Sequence, residues 1–216
     1  MLSAPDPDAA GLSRVVPLPL PRQGEASRVM LGAAEVVLEQ HRGGFTLLWS
    51  DGRDAKRFVL GLTDDGQLQL ELHPPRFPMR LTPREAMTIV PGGRLCGYVT
   101  APLVPTLVWS DGALPARSLL ELLPSMLHAE WDDAEGCRFA CGVTWLTRFP
   151  LMNEEPRCVV PLRLHNCGDE PASPACFEVS LTPDDLVELR GTLVVRPRRI
   201  RWRGDELVTR KNGASA

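Results

Sequence analysis

The chain has 216 residues, 44% of them apolar and 24% charged, with 24 Lys and Arg against 27 Asp and Glu for a net charge of -3. This is an ordinary globular balance, which excludes wholesale disorder and a membrane-embedded protein. The mildly acidic total offers no global attraction to phosphate or anionic lipid, so it argues against a dedicated nucleic-acid or membrane-surface protein while leaving room for a local basic patch.

Residues 1–21 read as a polar, Pro-rich lead-in. The alternation Pro17-Leu18-Pro19-Leu20-Pro21 cannot donate the hydrogen bonds of a sheet interior, so an edge or a tail is expected there. The same stretch has no basic region followed by an apolar run, and no window reaches the ~18 apolar residues of a spanning helix. A cytoplasmic protein without a membrane span is therefore expected.

From Arg28 onward short apolar runs alternate with turn residues, placing strands over 36–38, 45–49, 57–62 and 67–72. Thr63-Asp64-Asp65-Gly66 reads as the turn of a hairpin joining the last two. In the second of these Leu68, Leu70 and Leu72 share one face while Gln67, Gln69 and Glu71 share the other, which gives a buried and a wet side. Pro74, Pro75 and Pro78 force a crossing segment, after which strands are expected over 86–90, 95–100 and 105–109 with a Pro91-Gly92-Gly93 turn between the first two. Leu119, Leu120, Leu123 and Leu127 match helical spacing, but Pro124 would break the ladder, leaving a short helix or an apolar crossover. Strands are expected again over 137–146, 159–165, 177–181, 189–195 and 200–203.

Thr46-Leu47-Leu48-Trp49-Ser50-Asp51-Gly52 echoes Thr106-Leu107-Val108-Trp109-Ser110-Asp111-Gly112. An apolar strand ending in a Ser-Asp-Gly turn is locally favourable, so convergence explains the echo better than duplication. Repeated strands without a βαβ rhythm predict an all-β fold, an antiparallel β-sandwich of one body or two stacked halves with at most one short helix. The body spans 22–210, with a subdivision conceivable near 113–135, and 211–216 form a flexible tail.

The six cysteines, in a chain read as intracellular, are expected as free thiols. Cys137, Cys141, Cys158, His165, Cys167 and Cys176 carry zinc-type donors, and Cys158, His165, Cys167 and Cys176 are the metal candidates, although the spacing lacks paired knuckles. His165 and Cys167, two apart on a strand, share a face and could form a thiol–imidazole pair. The acid pairs Asp64-Asp65, Asp132-Asp133, Glu154-Glu155 and Asp184-Asp185 lie in apparent turns. Thr182-Pro183-Asp184-Asp185 reads as a helix start rather than a catalytic pair. No nucleophile elbow, phosphate loop, dinucleotide fingerprint or zinc-protease motif is present, so neither catalytic residues nor a cofactor are assigned.

Basic character is nearly all arginine, since Lys56 and Lys211 are the only lysines. Along Arg196, Arg198, Arg199, Arg201 and Arg203, a strand would put Arg199, Arg201 and Arg203 on one face and Ile200 and Trp202 inside. The bland role for that face is a charged edge that prevents sheet association. The sharper role is a surface for an acidic protein partner or another anionic surface, with nucleic acid disfavoured by the net charge.

Leu70-Glu71-Leu72-His73-Pro74-Pro75 through Met79-Arg80-Leu81-Thr82, then Thr88-Ile89-Val90-Pro91-Gly92-Gly93 and Tyr98-Val99-Thr100-Ala101-Pro102-Leu103-Val104, resemble the uncharacterised family called domain of unknown function 432. The likeness covers about half the chain and implies no activity or residue role. The expected function is a noncatalytic interaction or accessory module. A metal- or thiol-dependent small-molecule enzyme built on the Cys and His residues of the last third, and a homo-oligomerising structural subunit, are the alternatives.

Overall fold

The structure, a computed structural model, describes residues 14–61, 66–110, 115–132, 136–150, 156–189, 191–203 and 206–208. Its strands are β1 Val15–Leu18, β2 Ala26–Leu31, β3 Ala34–His41, β4 Gly44–Ser50, β5 Ala55–Leu60 and β6 Gln67–His73. β7 Met79–Pro83, β8 Arg94–Pro102, β9 Val104–Ser110, β10 Arg117–Glu121, β11 His128–Asp132 and β12 Gly136–Val143 follow. The last third holds β13 Arg157–Asn166, β14 Phe177–Val179, β15 Leu186–Leu189, β16 Thr192–Val195, β17 Arg198–Arg203 and β18 Glu206–Val208. Among the described residues the only helical element is a 3-10 turn at Pro183–Asp185, and no helix is long and apolar enough to cross a membrane.

Among the described residues the strands form four sheets, ordered β2-β3-β4-β5, β1-β6-β9-β10, β11-β12-β7-β14 and β15-β16-β13-β17-β18, with β8 also paired to β13. All four contribute to one hydrophobic interior, through Leu47 and Trp49, Leu70 and Leu107, Leu81 and Phe177, and Leu162, Ile200 and Trp202. The all-β reading holds, and most pairings are antiparallel. The exceptions among the described residues are β7 with β12 and β13 with β16 and β17, which run parallel.

The two-residue rhythm is clearest in β6, where Leu68, Leu70 and Leu72 are buried and Gln67 is exposed. β6 does not form the expected hairpin with β5, however. β5 pairs with β4, whereas β6 lies between β1 and β9. A turn sequence proposes a local pairing, but strand pairing follows tertiary context, and β6 takes β1 and β9 as neighbours with its leucine face in the shared core. Asp64 and Asp65 fall outside the described residues. β1 occupies the edge of its sheet, where Pro17 costs no interior hydrogen bond.

Three other expectations change. The strand over 86–90 reduces to a single bridge between Ile89 and Ala172, and Val90 turns outward ahead of Pro91. The leucine-rich stretch forms no helix: β10 pairs with β9, a turn closes from Pro124 O to Leu127 N, and β11 starts in another sheet. The expected strand over 189–195 is the β15–β16 hairpin, turning at Gly191, whose φ of 72° suits glycine. The strands that carry the two echoing segments occupy unlike settings, since β4 lies between β3 and β5 and β9 between β6 and β10, while Asp111 and Gly112 fall outside the described residues.

Candidate anion-binding face

β13 is the axis of the site. Its even positions Cys158, Val160, Leu162, Leu164 and Asn166 point inward and are buried, while Arg163 and His165 face out. β17 keeps the same rhythm, with Ile200 and Trp202 buried beneath exposed Arg199, Arg201 and Arg203, as the sequence predicts. The registers then fix what stands beside what. His165 lies between Arg94 of β8 and Arg201 of β17, and Arg163 between Cys96 and Arg199. One step further along, Tyr98 lies opposite Pro161.

The result is two cross-strand rows of cationic or ionisable side chains. Like charges directly opposite each other destabilise a sheet, by roughly 0.2–1 kcal/mol per pair. Arg94, Arg163, Arg199 and Arg201 form no ion pair with any described residue. Arg198 differs because it points to the other side and pairs with Asp185. Partial burial would raise the Asp185 carboxyl, but the N–H and hydroxyl of Thr182 and the Arg198 guanidinium outweigh it and lower its pKa. Asp184-Asp185 is thus a capped 3-10 turn, consistent with the structural role expected for it.

Over these rows opens a cavity of about 750 Å³, lined by Arg94, Arg163, His165, Arg199 and Arg201 and by no carboxylate among the described residues. Its opposite end is mainly apolar and aromatic, with Thr147 as an uncharged polar residue. Tyr98 exchanges backbone hydrogen bonds with Leu146, which brings the 145–149 segment along β8 and sets Phe149 edge-on to Tyr98 at 5.6 Å between ring centroids. Gly97 permits this approach, because a Cβ there would meet the Trp145 ring at 2.5 Å and the Leu146 carbonyl at 2.7 Å.

Of the sequence candidates, Arg199 and Arg201 line the cavity, while Arg203 continues the row beyond it. Arg94, Arg163, Tyr98 and Phe149 were not singled out in the sequence. The available signal was the outward alternation Arg94-x-Cys96-x-Tyr98 and Pro161-x-Arg163-x-His165 around leucine or glycine positions.

The four metal candidates do not converge as a set. Cys158 and His165 project from opposite faces of β13, seven residues or ~23 Å apart along the strand, and Cys176 precedes β14 in another sheet. Among the described residues no group of three or more His, Cys, Asp or Glu side chains could hold an ion. All six thiols are free. Burial pushes Cys141 up and Cys158 up to about 12, so both serve as small core residues. His165 and Cys167 do meet, with Sγ 3.3 Å from Nδ1. Between them Asn166 is fully buried and hydrogen-bonds the carbonyls of Ile89 and Glu170 and the N–H of Gly168, which fixes the end of β13.

Comparison with protein-family models, curated proteins and solved structures gave no match.

Proposed function

We propose that the chain is a noncatalytic binding module whose β8–β13–β17 face captures an anionic partner. The observation carrying this reading is the convergence of Arg94, Arg163, Arg199 and Arg201 around His165, from three strands, without a carboxylate counterpart among the described lining residues. A sheet gains no stability from aligning cations, whereas guanidinium forks suit carboxylate and phosphate oxygens.

The test uses the net charge of -3, which by itself gives no reason to bind an anionic resin at neutral pH. Salt-sensitive retention that disappears in an Arg163→Glu/Arg199→Glu variant, with an unchanged circular dichroism spectrum, is the expected result. Equal retention of the variant refutes the reading. The thiol-enzyme alternative rests on the Cys167–His165 contact. It requires iodoacetamide to alkylate Cys167 at least tenfold faster than Cys137 or Cys176 and the advantage to vanish in His165→Gln.

A further inference from the structure

We infer that the occupant of this cavity is a small ligand carrying clustered phosphoryl groups on a flat ring, of the nucleoside di- or triphosphate class. The inference rests on the anion-binding reading above and adds which anion fits.

Three features select the class. First, the guanidinium groups are compact: strands lie about 4.8 Å apart and alternate residues about 6.6 Å apart, so Arg94, Arg201, Arg163 and Arg199 occupy a patch roughly 10 Å by 7 Å around His165. Such a patch concentrates charge on one point of the ligand. An extended nucleic-acid backbone or a membrane plane would instead distribute its charges over a longer track. Second, the cations are arginines, whose planar forks match paired phosphoryl oxygens. Third, the cavity is cationic at one end only. Beyond Arg163 it passes to Tyr98, Pro161 and Phe149, with Leu189 and Val194 also lining it. Phe149 is 36% exposed, which leaves ring surface open to a partner. An inorganic polyphosphate would use only the first end, whereas a nucleotide uses both, phosphates on the guanidinium rows and base against the aromatic wall. About 750 Å³ lies within the usual range for small-molecule sites.

Isothermal titration of the full chain with ATP, inorganic tripolyphosphate, adenosine, a single-stranded oligothymidylate and vesicles containing phosphatidic acid tests the inference. ATP is expected to bind at least tenfold more tightly than tripolyphosphate or adenosine. Phe149→Ala should remove about tenfold from ATP affinity and leave tripolyphosphate unchanged. Arg163→Glu or, as the milder change, Arg199→Ala should weaken both. If tripolyphosphate matches ATP, or Phe149→Ala has no effect, the nucleotide inference fails while the anion-binding reading stands. If neither phosphate ligand binds and the vesicles and oligonucleotide are also ignored, both fail. Tighter binding of vesicles or oligonucleotide than of ATP overturns the inference in favour of an extended partner.

Discussion

Replacing Asn166 by alanine removes the anchor that joins the end of β13 to two other segments. The Asn166 side chain is 0% exposed and makes three hydrogen bonds, from Nδ2 to the carbonyls of Ile89 at 2.9 Å and Glu170 at 2.6 Å, and to Oδ1 from the N–H of Gly168 at 2.9 Å. At about 1 kcal/mol net for each lost bond, the sum is about 3 kcal/mol. The Ile89 carbonyl retains the Ala172 N–H as a donor, which holds the loss near that value rather than above it. With a urea dependence of about 2 kcal/mol per molar, the unfolding midpoint should fall by roughly 1.5 M. Tryptophan fluorescence can follow it, as Trp49 and Trp202 are buried in the core. In native-state hydrogen exchange the Gly168 amide should lose protection before the amides of β13 do. A loss of stability below about 1 kcal/mol, or an unchanged Gly168 exchange rate, refutes the assignment of Asn166 as the anchor.

Asp51 provides a pH-dependent counterpart. Partial burial would raise its carboxyl, but N–H groups of Ser125, Asp54 and Arg53 outweigh that and bring it to about 2. Its stabilisation is therefore full above the ordinary aspartate range and is lost as pH falls from about 4 toward 2. Because solvent screens much of the effect, Asp51→Asn should cost about 1 kcal/mol at pH 7, and the gap from wild type should close near pH 2 in urea melts. Arg163→Gln should raise stability by up to about 0.5 kcal/mol in the same assay by relieving the Arg163–Arg199 opposition, while weakening retention on an anionic resin. Gly97→Ala should destabilise by about 1–3 kcal/mol, because the methyl group displaces Trp145 and the Leu146 carbonyl. It should also reduce ATP binding more than tripolyphosphate binding, through the displaced Phe149.

Alternation made faces legible, while partnership depended on distant residues. Leu68, Leu70 and Leu72 declare their buried side from the sequence, and so do Ile200 and Trp202 beneath Arg199 and Arg201. The β5–β6 error shows the limit, since a turn-like Asp-Asp-Gly is a local signal whereas the neighbour of β6 is set by an apolar strand, β9, much later in the chain. The leucines from 119 to 127 misled for a related reason: helical spacing can arise when a strand, a proline-bearing turn and a second strand follow one another. Half of the cationic face was visible because β17 writes its arginines as a run. The other half was not, because Arg94 and Arg163 are isolated from any run of like charges in mainly apolar strands and acquire meaning only when β13 places them in register with β8 and β17.

The face also contains its own chemical handle. Cys96 is the one cysteine of the six that is exposed, and it lies directly across from Arg163 inside the cavity. A maleimide dye attached there reports occupancy without an engineered thiol, and any compound filling the cavity shields the sulfur from labelling, so a ligand screen can be read as the rate at which colour is gained.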